Sequence, residues 1–123
     1  QQEIASISMA YPWVLATPEQ DSSILTTLIT SYPATAIGVH LHSTVNNWKA
    51  KTDAALQAGC TRFDGALRGI GGCPMAGDEL VGNMDTELMI PYFNELNLLN
   101  NFDMNALTEC SRMAGELFTT SSV

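Results

Sequence analysis

The sequence predicts an α/β domain built on parallel strands. Three short strand patterns alternate with helix-period patterns, and parallel neighbours need a crossover of that kind. The second strand, residues 35–41, is apolar almost throughout, as expected of a strand covered on both faces. At 123 residues, 46% hydrophobic and 15% charged, the chain has the make-up of one small domain with a real core.

Residues 4–9 alternate apolar and small polar side chains, the period of a strand, which Tyr11-Pro12-Trp13 then breaks. Thr17-Pro18-Glu19-Gln20 reads as a helix start: Thr17 as N-cap, Pro18 in the first turn, Gln20 as capping-box partner. The helix presents Ile24, Leu25, Leu28 and Ile29 on one face and stops before Pro33. After the strand at 35–41, Asn46 or Asn47 caps a second helix. Its Ala50, Ala54, Ala55 and Ala58 allow close packing, and Gly59 ends it. Lys49 and Lys51, near its start, read as solvated surface lysines, with contact to a ligand phosphate as the sharper alternative.

Residues 61–67 form the third strand, with Phe63 and Asp64 inside it. A loop at 69–83 carries five glycines, and its entropy cost points to a mobile cover rather than a spacer. Asp85-Thr86-Glu87 opens a third helix containing Pro91, which either lies in a late first turn or kinks the helix. Asp103 caps the last helix, whose face is Leu107, Cys110, Met113, Ala114 and Leu117. The domain is read as 1–118, with 119–123 as a frayed tail.

A net charge of −8 argues against a nucleic-acid partner. It also suits an acidic ligand poorly, since only Lys49, Lys51, Arg62, Arg68 and Arg112 could offset phosphates. Cys60, Cys73 and Cys110 show no paired spacing, so a reducing compartment is expected: cytoplasmic, with the mitochondrial matrix as the alternative. No apolar run approaches the ~20 residues of a membrane span, and no signal peptide is visible at the start.

The stretch that carries chemistry runs from residue 37 to 83. His40 and His42 sit two apart at a strand end, where side chains face one way, a good start on a divalent-metal site. Cys73 follows in Gly71-Gly72-Cys73-Pro74, and Asn83 stands just ahead of a helical pattern. Each has a plainer reading: a solvated strand edge for the histidines, a small buried hydrophobe for Cys73, a helix cap for Asn83.

Together these residues resemble the C-terminal part of 3-hydroxy-3-methylglutaryl-CoA lyase, one of the metal-dependent TIM-barrel lyases and Claisen-type synthases. The matching residues are His40 and His42 in HLHST, Gly69 and GGCP in GIGGCP, Gly82-Asn83 and Thr86-Glu87, with ATPEQ at 16–20 as a weaker match. The fold this implies is about three βα units plus terminal helices of a (β/α)8 barrel.

The resemblance implies cleavage of 3-hydroxy-3-methylglutaryl-CoA to acetoacetate and acetyl-CoA by a retro-Claisen reaction. His40, His42 and Asn83 would bind the cofactor, a divalent metal (Mg²⁺ or Mn²⁺, with Zn²⁺ admissible). Cys73 would be the catalytic proton donor on a closing loop. The implied partners are an acyl-CoA substrate and the missing N-terminal barrel strands, or a complementing chain. Those strands include the family's arginine–aspartate pair, so the piece alone is expected to be inactive. Open strand edges imply a homo-oligomer.

The sequence departs from the family at Tyr11-Pro12, at Ser43 and at Arg68, while Asp64 stands where the family also has an aspartate. Two other readings therefore stay open. One is a related condensing synthase or hydroxy-oxo-acid aldolase, the other a non-catalytic barrel fragment acting as an association module.

Overall fold

The computed structural model describes residues 4–10, 17–71 and 81–119. Strand β1 (Ser6–Ala10) is followed by helix α1 (Pro18–Ser31), then by β2 (Ala36–His40) and the short β3 (His42–Ser43). Helix α2 (Trp48–Gln57) leads to β4 (Arg62–Asp64) and a 3-10 turn at Leu67–Gly69. The chain continues through β5 (Gly82–Asn83), α3 (Thr86–Glu95) and α4 (Met104–Thr119). Among the described residues no helix is long and apolar enough to cross a membrane.

The parallel sheet has the order β1-β2-β4. Ser6 to Ala10 pair with Ala36 to His40, and Gly38, Val39 and His40 pair with Arg62, Phe63 and Asp64. This register puts Met9, Ile37, Val39 and Phe63 on one face, since successive side chains alternate. There they meet Leu25 and Leu28 of α1, Ala55 of α2 and Met89 and Phe93 of α3, with Cys60, Leu41 and Met84 filling in. Leu25, Val39 and Met84 are no more than 1% exposed. Each apolar side chain buried so fully is worth about 1.5–3 kcal/mol.

The other face corrects the expectation of a strand covered on both sides. It carries Ser8, Gly38, Arg62, His40 and Asp64, so among the described residues the apolar run at 35–41 has only one apolar neighbour layer. Gly38 is buried because the Arg62 stem lies over it, with Cγ and Cδ 3.0 Å from where a Cβ would stand. Across that gap the Ser8 hydroxyl donates to the Asp64 carboxylate, tying β1 to β4 over β2.

Several local expectations hold. Thr17 forms the reciprocal capping box with Gln20, and α1 ends ahead of Pro33. Gly59 ends α2 in the left-handed region (φ 91°), where a Cβ would be strained. Asp103 Oδ1 accepts from the Asn105 and Ala106 amides, capping α4.

Others change. Asn47 precedes α2 without a side-chain cap, because its Oδ1 accepts from the Thr44 amide at 2.8 Å instead. The third strand is only three residues long and gives way to the 3-10 turn. Helix α3 starts at Thr86, capped by Asp85, so Pro91 lies inside the helix rather than in a late first turn. In α4 the expected face is split: Leu107 and Ala114 are buried, whereas Cys110, Met113 and Leu117 are exposed. The helix runs to Thr119.

Candidate functional site

The parallel strands bring Ala10, His40 and Asp64 into line at their carboxyl ends. Beyond His40 the chain takes one further residue and then forms β3, which pairs antiparallel with β5: His42 opposite Asn83, Ser43 opposite Gly82. Residues directly opposite in such a pair point to the same face, so the His42 ring and the Asn83 amide share a side. The His40 and His42 rings lie 5.5 Å apart, centroid to centroid, at 79°. The structure thus brings together the three residues singled out as metal donors.

Two of them, His42 and Asn83, are held by the main chain. His42 Nδ1 lies 3.3 Å from the Gly82 carbonyl. A carbonyl oxygen can only accept, so in the neutral ring Nδ1 carries the proton and Nε2 is the nitrogen open to a metal. The Asn83 Nδ2 donates to the Ile70 carbonyl at 2.8 Å, which fixes the amide's orientation. Its Oδ1 is buried and has no hydrogen-bond partner among the described residues. An orphaned buried acceptor is costly, of order 1–3 kcal/mol, and calls for an explanation.

The glycines of the loop serve this geometry. Gly71 has φ 89°, and a Cβ there would stand 2.8 Å from Asn83 Nδ2. The Asn83 amide N–H in turn donates to the Gly71 carbonyl at 2.8 Å. On either side, Met84 donates to the Leu41 carbonyl, and Ala66 donates to the Met84 carbonyl. The segment after Asn83 is therefore stitched between the extensions of β2 and β4.

Two imidazoles and one amide oxygen are neutral donors that fit a divalent cation with positions left over for substrate. Among the described residues no group of three or more His, Cys, Asp or Glu is placed to hold an ion. Asp64, which neighbours His40, is engaged with Ser8 and lies 4.0 Å from Arg62. Cys73 lies outside the described residues. Cys60 is buried in the core, and burial pushes its thiol pKa up.

At the start of α3, Asp85 and Glu87 face each other. Burial, together with the neighbouring Glu87, raises the Asp85 pKa. Glu87 resists the same burial penalty through bonds from Ser111, the Arg68 amide and Asp85, and its pKa falls. The two lysines read as surface residues are both engaged. Lys49 bonds Asp53 and the Tyr92 hydroxyl, while Lys51 is buried and donates to the His42 carbonyl at 2.9 Å. Sequence reasoning missed the Lys51 contact and the β3–β5 pairing, since both depend on how distant segments meet.

Residues 3–114 match the model of a family described as HMGL-like. The chain is 38% identical over 97 residues to (R)-citramalyl-CoA lyase of Chloroflexus aurantiacus, covering 79% of this chain and 30% of the relative. It is 31% identical over 113 residues to hydroxymethylglutaryl-CoA lyase YngG of Bacillus subtilis, covering 92% and 38%. The crystal structure of the HMG-CoA lyase from Bacillus subtilis superposes with a TM-score of 0.80 at 31% identity, over 92% of this chain and 38% of that one. A second HMG-CoA lyase, from Acinetobacter baumannii in complex with coenzyme A and 3-methylmalate, gives 0.78 at 31%, over 93% and 37%. The chain spans less than two fifths of the length of each.

Proposed function

This chain belongs to the HMGL-like family, with the α/β fold of a partial (β/α)8 barrel, and we propose that it is the C-terminal, donor-bearing part of a carbon–carbon lyase acting on a β-hydroxy acyl-CoA. The observation that carries the reading is the buried Oδ1 of Asn83, unpartnered among the described residues and on the same side as His42, with His40 beside it.

His40, His42 and Asn83 would hold a divalent cation, which when bound supplies electrophilic polarisation of the substrate's hydroxyl oxygen. The protein's own residues do the rest. The β3–β5 pairing and the Gly82 carbonyl hold His42 with Nε2 bare, and the Ile70 carbonyl orients Asn83. Cys73 on the glycine-rich loop is assigned the proton that converts the departing enolate to the acetyl thioester. In the full reaction the C2–C3 bond breaks, the C3 hydroxyl becomes a ketone and gives up its proton, and the released carbon takes one.

The relatives' names bracket the substrate. Citramalyl-CoA and 3-hydroxy-3-methylglutaryl-CoA share a tertiary alcohol β to the thioester and differ by one methylene in the acid arm. One methylene is worth only about 1–3 kcal/mol of discrimination, so either is within reach of such a site. The departures at Ser43 and Tyr11 fall among the residues expected to tune that choice.

The remaining barrel strands, with the carboxylate and arginine they bring, complete the site in this reading. The open edges of β1 and β4 are where they join, or where copies associate. The test is cleavage of both thioesters by the complete protein, followed as free keto acid and acetyl-CoA. Turnover of at least one, lost by 100-fold or more in Cys73→Ala, is expected. Turnover unaffected by Cys73→Ala would favour a condensing synthase or aldolase, and no turnover of either would favour an association module.

A further inference from the structure

Lys51 takes a charge where the helix pattern put a solvated one. It is 4% exposed, and its Nζ donates at 2.9 Å to the main-chain carbonyl of His42. Burying an ammonium is among the costlier things a fold does, so an apolar residue would be the cheaper filler under β3. Lys49, Arg62 and Arg112 sit at more exposed positions, where they reach acidic side chains. The Lys51 bond falls on the backbone of one of the two imidazole residues.

That backbone needs support. Strand β3 is two residues long, and its ladder with β5 is short. Ser43, the next residue, is held from the core side by a bond from its hydroxyl to Met84 Sδ at 3.3 Å. A charge-assisted bond to the carbonyl between them is stronger than a neutral one and fixes the peptide plane. That plane in turn sets the direction from which His42 presents Nε2.

We propose that Lys51 is a positioning residue, whose buried ammonium clamps the His42 carbonyl and so aims the imidazole at the metal. The proposal rests on the reading of His40, His42 and Asn83 as metal donors. It has a sign that separates it from a bare charge effect. A positive charge near a cation site weakens binding, so removing it without any positioning role tightens binding. Removing a clamp on a ligand loosens it, typically by 10–100-fold.

The experiment is Mn²⁺ binding to the complete protein, with pulsed electron paramagnetic resonance counting the imidazole nitrogens coupled to the ion. The wild type should show two coupled imidazoles. Lys51→Met, which keeps the stem and loses the donor, should bind at least tenfold more weakly and show one. Lys51→Gln, a neutral donor, should restore the second coupling at an affinity between the two. Affinity unchanged or tighter in Lys51→Met, with both couplings kept, would overturn the proposal. Should Lys51→Met fail to fold, the same unchanged or tighter affinity in Lys51→Gln overturns it. Absence of any imidazole coupling in the wild type overturns the metal reading itself, and this proposal with it.

Discussion

The two faces of the β1-β2-β4 sheet differ in kind. One is finished: Ile37, Val39 and Phe63 meet Leu25, Ala55, Met89 and Phe93, and the interior is closed. The other carries Ser8, Arg62, His40 and Asp64, with no apolar layer above them among the described residues. In an isolated α/β layer both faces would be covered; in a barrel the second face looks inward, where strand ends build a site. The contrast teaches that stability and chemistry are divided between the faces, and each can be perturbed without the other.

The largest effect should come from the finished face. Leu25→Ala removes a fully buried side chain and is expected to cost about 2–5 kcal/mol, whereas Ser8→Ala on the open face should cost less than about 1 kcal/mol. Denaturant unfolding of the two variants measures both. Equal losses would erase the distinction between the faces.

Next comes association. With β1 and β4 as unpaired edges, the 123-residue chain by itself should be oligomeric or aggregate at micromolar concentration, read by light scattering over a dilution series. A compact monomer throughout would mean the second face needs no complement.

The thiols sharpen the division further. Cys60 is buried with its thiol pKa pushed up, while Cys110 is exposed on α4, so brief iodoacetamide treatment at pH 8 should label Cys110 more than tenfold faster. The exposure of Cys110 departs from its placement on the apolar face of the last helix. Comparable rates would show that the finished face opens readily.

The smallest effect is electrostatic. Burial alone would raise the Asp53 pKa, but bonds from Lys49 and the Tyr92 hydroxyl outweigh it, and the net shift is downward. A depressed folded-state value means this link between α2 and α3 stabilises above the unfolded pKa of about 3.9 and is lost as pH falls through the folded one. Asp53→Asn should therefore flatten the acid limb of the stability curve slightly. An unchanged limb would remove Asp53 from the account.

Much of the layout was legible because it is written locally. Thr17 with Gln20, Gly59, and Asp103 each mark a helix end by their own chemistry, and the strand–helix alternation gives the parallel sheet. His40 and His42 were legible as a pair through the two-residue period, and the resemblance added Asn83. What stayed hidden depends on contacts across the chain. The pairing of His42 with Asn83 joins residues 41 apart in sequence, and nothing local marks a two-residue strand. Lys51 reads as a surface residue by type, yet it is buried, with its ammonium on the His42 carbonyl of β3. The split face of α4 was misread because Cys110, Met113 and Leu117 have the right spacing for a core, yet only Leu107 and Ala114 find one.

The central claim is that His40, His42 and Asn83 form one donor set. Calorimetric titration of Mn²⁺ into the complete protein tests it most directly. The account predicts one site, no detectable binding in His42→Ala, and binding weakened about 10-fold or more in Asn83→Ala as the buried oxygen is lost. Wild-type affinity in His42→Ala would contradict it, making the histidines structural and the lyase chemistry proposed from them wrong.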